Sequence, residues 1–182
     1  MAGTEKADGY SPDVFVGLDG YEKEQVFKLL TTELPWSVEW LFRLNPEKAL
    51  AVVKDEEERL RGNSYVHVYM LQQQLVKYTG DILYQRHMIE DYPNYVEDLK
   101  PHVIDAVGCT PANAAAIEFF KRVILVEANT SAVARASRNL LNAIKFPRSS
   151  EEEKKSYNRL VSELRNDNAQ VKLNAIKEIE KC

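Results

Sequence analysis

The side chains best able to do chemistry in this 182-residue chain are three histidines, two cysteines and 28 carboxylates set against 24 cations. His87 and Glu90 stand three apart, with Asp91 beside Glu90. On a helix that spacing puts an imidazole and a carboxylate on one face, where the three could share a metal ion. Such a group would be the core of a metal-dependent hydrolase in a helical bundle. It lacks a second cluster: there is no His-Glu-x-x-His run and no paired Glu-x-x-His set. Surface charge on an amphipathic helix is the simpler reading, and no cofactor is expected. His67 and His102 stand apart from this group. Cys109 precedes Thr110 and Pro111 at an expected helix start, where the dipole would favour a thiolate. No base is evident beside it, and Cys109 and Cys182 are too few to form a disulfide framework. Gly-x-Gly-x-x-Gly, Walker-type and Gly-x-Ser-x-Gly sequences are all absent.

Residues suited to binding are more plentiful. Glu151, Glu152 and Glu153 stand at an expected helix start, where negative charge complements the macrodipole. Asp55, Glu56, Glu57 and Glu58 lie too late in their helix for that. They form either a solvated face or a landing surface for a basic partner. Six of the nine tyrosines (Tyr65, Tyr69, Tyr78, Tyr84, Tyr92, Tyr95) fall in the central third. Tyr65 and Tyr69 are four apart and off the Val68, Leu71, Leu75 stripe, which suits an interface, although rings that close gaps between helices have the same spacing. Trp36 and Trp40 share a face on a continuous helix and are expected in the core. Arg135, Arg138, Asn139 and Asn142 form one polar stripe at i, i+3, i+4 and i+7, read as a binding surface or a solvated face.

These residues are carried by helices. Ser11 then Pro12, Asp19 with Glu22, Asn45 then Pro46, Asn63–Ser64, Thr130–Ser131 and Ser150 with Glu153 are start signals. Gly17, Pro35, Gly62, Gly80 and Pro147 are stops. Apolar residues recur at three and four, as in Val68, Leu71, Leu75 and Tyr78, and no period-2 run suggests a strand. An all-α chain of about nine to eleven helices follows. Residues 1–9 are small and polar and read as a flexible N-terminus; residues 10–182 read as one all-helical domain.

Residues 164–179 form a helix end, the polar turn Asn166, Asp167, Asn168, and a second helix with Val171, Ala175 and Ile179 at intervals of four. Residues 126–141 repeat the pattern with Asn129 in the turn and Val133, Ser137 and Leu141 in the stripe. The separation of about 38 residues is that of helical repeats. The segment resembles the HEAT or armadillo-type α-solenoid family, most evidently over 111–182, with Ser137 in place of the expected Ala. The resemblance implies stacked helical hairpins that bind a partner; an irregular multi-helix bundle is the alternative. Net charge is −4, which counts against nucleic acid and suits a basic protein. No apolar run is long enough to span a bilayer and no secretory signal is visible, so a cytoplasmic setting is expected. The expected function is non-catalytic protein binding, in its narrower form as an acidic inhibitor of the immunity-protein kind. The metal-dependent hydrolase is the alternative, and a nucleic-acid-binding helical repeat using Arg135 and Arg138 is the second.

Overall fold

The computed structural model describes residues 12–181. The expected flexible segment 1–9, the Ser11 cap and the Cys182 thiol lie outside the described residues. Within them the chain is all-helical: α1 (Gly20–Thr32), α2 (Val38–Leu44), α3 (Pro46–Leu60), α4 (Val68–Thr79), α5 (Leu83–Asp91), α6 (Lys100–Gly108), α7 (Ala114–Val126), α8 (Thr130–Ala143), α9 (Glu151–Leu164) and α10 (Ala169–Ile179). Short 3-10 turns cover Pro12–Phe15 and Tyr92–Asn94. No helix among the described residues is long and apolar enough to cross a membrane.

Local chemistry sets most of the starts. Asp19 and Glu22 form a reciprocal capping box on α1, and Ser150 and Glu153 form another on α9. Asn45, Asn113, Asn129 and Asn168 cap α3, α7, α8 and α10 by accepting a backbone N–H of the first turn. Gly80 ends α4 in the left-handed conformation (φ 70°).

Some expected boundaries move, each for a local reason. Asn63 does not cap α4: its Oδ1 accepts the Tyr65 N–H at 3.1 Å, forming a turn, and the helix begins at Val68. The helix expected from Pro111 begins at Ala114, behind the Asn113 cap. Cys109 caps the C-terminal end of α6, so the helix start expected beside it is replaced by the carbonyl end of a helix. Trp36 lies in the turn before α2 rather than on a helix with Trp40. It is exposed, and Trp40 is half-buried against Phe15, so neither sits in the innermost core.

One cluster of buried apolar side chains runs from Phe27 to Ile179 and includes Leu41, Phe42, Leu71, Met88, Ile104, Phe120, Leu140 and Leu164. Burying each such side chain contributes about 1.5–3 kcal/mol. α4 packs on α2, α3, α5 and α6, while α8 packs on α6, α7 and α9, and α10 on α7 and α9. The repeat stripes face inward: Val133, Ser137 and Leu141 are buried, as are Ala175 and Ile179. Buried Ser137 is satisfied by donating its hydroxyl to Val133 O at 2.8 Å.

Candidate functional site

Aromatic side chains gather where the α1–α2 turn meets the start of α4. Trp36 is 62% exposed, and its ring centre lies 4.2 Å from that of His67. His67 holds the N-cap position of α4, with Nδ1 2.8 Å from the Tyr69 hydroxyl. Tyr69 is buried, meets Tyr95 edge-on at 6.1 Å and lies parallel to His102 at 6.5 Å. Burial pushes the Tyr69 hydroxyl up to about 12, so it stays a neutral phenol near pH 7. Burial, helped by the nearby His102, holds His67 below its ordinary 6.5. An imidazole held towards its neutral form thus packs against the indole at a tilt of 50° and is fixed from behind by a buried ring. Tyr65, two residues before His67, is 77% exposed. Of the two tyrosines expected at an interface, Tyr65 is available. Tyr69 is corrected to a buried support, because α4 turns it towards Tyr95.

Behind this surface lies a buried polar network between α3, α4 and α5. Gln72 is fully buried, and its Nε2 donates to Glu57 Oε1 at 2.9 Å and to Asp91 Oδ2 at 3.2 Å. Glu57 Oε1 also lies 3.0 Å from His87 Nδ1. Arg61 Nε donates to Asp91 Oδ2 at 3.0 Å, and its terminal nitrogen donates to Glu90 at 2.6 Å. Tyr95 stands in the field of both Asp91 and Glu57; its hydroxyl is raised first by burial and then by those charges. Tyr95 meets Tyr69, Tyr69 is bonded to His67 and His67 packs against Trp36, so a run of ring contacts supports the exposed indole from behind.

The acidic run Asp55–Glu58 is divided by this arrangement. Glu57 is 3% exposed and faces the network, Glu56 pairs with Arg59, and Asp55 and Glu58 point to solvent. The expected continuous acidic surface is therefore corrected to two exposed carboxylates, with Glu57 drawn inside by its place on the Ala49, Val53, Glu57 stripe. His87, Glu90 and Asp91 do not converge: the imidazole turns to Glu57, and both carboxylates turn to Arg61. Among the described residues no group of three or more His, Cys, Asp or Glu is arranged to hold a metal ion. Asp91 is buried rather than part of a surface charge cluster.

The stripe Arg135, Arg138, Asn139 and Asn142 does come together, lining a shallow cleft of about 310 Å³ between α6 and α8 with Asp105. Arg135 is bound to Asp105, and Asn139 Nδ2 donates to Asp105 Oδ1 at 3.2 Å. Gly108 permits the close approach: a Cβ there would stand 2.6 Å from Asn139 Cγ. Arg138 makes no ion pair among the described residues and is the free cation of the cleft. A second cleft, of about 560 Å³, opens beside the end of α9 at Asn158, Arg165 and Asp167. Neither cleft is lined by a member of the Glu57 network.

Sequence reading missed Trp36, His67 and Gln72 as members of a site. For Gln72 a signal was present: it occupies the Val68, Gln72, Val76 row, all three of which are buried. For Trp36 there was none, because its exposure depends on where the α1–α2 turn falls. Compared with protein-family models, with curated proteins and with solved structures, the chain matches none.

Proposed function

We propose that this chain is a non-catalytic protein-binding domain whose contact surface is centred on Trp36, with His67 and Tyr65. The observation that carries this reading is Trp36 itself, a tryptophan 62% exposed yet packed at 4.2 Å, with its ring tilted by 50°, against a histidine that is held in turn by a buried tyrosine. A large ring fixed in place before binding loses little entropy when a partner covers it, and tryptophan and tyrosine dominate interface energetics. Ordinarily an exposed indole carries a cost in solubility with no return in folding. The titratable groups support the same reading, since Glu57, Asp91, His87 and Arg61 are used up on one another and line neither cleft.

Net charge of −4 favours a basic partner through electrostatic steering. An inhibitor that covers a basic protein, of the immunity-protein kind, is the narrower form of the proposal. The test is co-purification from the native host followed by cross-linking. A stable 1:1 complex is expected, with cross-links at Lys48 and other lysines of the α1–α4 half and an association rate that falls with salt. Cross-links confined to α8–α10 would contradict the placement of the surface.

A further inference from the structure

The polar side of α8 lies between two clefts. α8 packs on α6 and on α9, and Arg135, Arg138, Asn139 and Asn142 open into the cleft on its α6 side. Arg165, which lines the cleft beside α9, donates from its terminal nitrogen to Ala134 O at 3.3 Å. Ala134 stands one turn before Arg138, about 6 Å along the helix axis, so the two clefts meet on α8. Of the three guanidinium groups Arg135 is neutralised by Asp105. Arg138 and Arg165 are exposed and make no ion pair among the described residues, although Asp167 lines the same cleft as Arg165. Residues 128–150, which include the whole of α8, hold Arg135, Arg138, Lys145 and Arg148 and no carboxylate, in a chain of net charge −4.

We propose that this groove binds a short acidic segment of another protein, in extended form, with carboxylates on Arg138 and Arg165. A guanidinium group takes a carboxylate bidentately, which an ammonium cannot do. Acids two apart on an extended chain share one side at about 6–7 Å, close to the one-turn step between the points where the two arginines reach α8. The charge of the groove selects an acidic occupant, and its other groups select a polypeptide. The side-chain amides of Asn142 and Asn158 make no hydrogen bond among the described residues. Each offers a donor and an acceptor, which matches a peptide backbone, whereas a phosphodiester only accepts. No aromatic ring lines either cleft among the described residues, so nucleic-acid bases have nothing to stack on. The occupant has the opposite charge from the partner proposed at Trp36, and the groove does not rest on that reading.

Fluorescence anisotropy with a labelled peptide of alternating Glu and Ser tests the groove in the full chain. Saturable binding is expected with Kd below about 1 mM, weakening as salt is raised. The matching peptide of Gln and Ser should not bind. Arg138→Glu should weaken the Glu peptide about tenfold, while Lys28→Glu, the same charge change on exposed α1, should alter it less than about twofold. Arg165→Ala should weaken it about threefold, and if that variant loses its helical circular dichroism the exposed Arg138 decides the matter. Absence of saturable binding by the Glu peptide, or equal binding by the Gln peptide, overturns the proposal. Equal losses from Arg138→Glu and Lys28→Glu also overturn it, because the charge is then not read in the groove. So does an oligothymidylate of equal charge that binds as tightly as the Glu peptide.

Discussion

Replacing Glu57 by alanine should unfold the protein far more readily than the same change at Asp55 or Glu58, although the three lie within one helical turn. The magnitude follows from the contacts. Glu57 is 3% exposed and accepts from Gln72 at 2.9 Å, a hydrogen bond to a charged acceptor worth about 1.5–3 kcal/mol. Its loss also leaves His87 without the carboxylate 3.0 Å away and opens a cavity beside Val53 that relaxes only in part. Removing a buried carboxylate relieves its desolvation, which offsets some of the loss. The expected net destabilisation is about 2–4 kcal/mol. Helix propensity favours Ala over Glu or Asp at all three sites by a few tenths of a kcal/mol, so it nearly cancels in the comparison. Asp55→Ala and Glu58→Ala should each stay within about 0.5 kcal/mol of the native chain. Urea denaturation followed by helical circular dichroism reads all three. In a chain of this size the Glu57 effect corresponds to a fall in Tm of about 4–16 °C. A Glu57→Ala protein that matches Asp55→Ala would refute the buried network.

Three other perturbations have expected outcomes. Lys145 follows α8 in the left-handed region at φ 55°, so Lys145→Gly should stabilise by about 0.5–1 kcal/mol, read as a rise in urea midpoint; a fall would place the backbone elsewhere. Gly108→Ala should destabilise by about 1 kcal/mol, because its Cβ displaces Asn139 from Asp105. With Asn139→Ala also present the same change should become neutral or favourable, and a sign that does not move would show that the two residues are uncoupled. His67 has a folded pKa below its unfolded value of about 6.5, so the unfolded state takes up its proton first. Stability should therefore be full above about pH 6.5 and decline as the pH falls from there towards the folded pKa. Glu127, held low by Asn129 N–H, Tyr92 and Lys100 against the opposing effect of burial, starts to contribute a loss only below about 4.5. Between pH 7 and 5 the native chain should lose more stability than His67→Gln, and parallel curves would contradict the assignment.

Features governed by a few neighbouring residues were legible in the sequence. The Asp19–Glu22 and Ser150–Glu153 boxes, the Asn45–Pro46 start and the Gly80 stop depend on side chains within four residues of the backbone groups they satisfy. The stripe Arg135, Arg138, Asn139, Asn142 was legible for the same reason, since a helix fixes it. What it faces was not, because Asp105 and Gly108 reach it from α6. Glu57 and Asp91 were read as surface charge because composition cannot show that Gln72 and Arg61 lie opposite them. The spacing Ala49, Val53, Glu57 held that information, but an acid on an apolar row is interpretable only once its partner is known. Trp36 was misplaced because Pro35 and the buried Ser37, whose hydroxyl binds Leu30 O, turn the chain before α2 begins. That bond joins residues seven apart and carries no periodic signature.

The central claim is that a fixed, exposed indole binds a protein partner. It is tested most directly by calorimetric titration of the purified partner into native and Trp36→Ala chains. Trp36→Ala should leave the urea midpoint nearly unchanged, because the ring is mostly exposed. Affinity should fall by about 2 kcal/mol or more, roughly thirtyfold. An unchanged affinity in a folded Trp36→Ala protein would contradict the account.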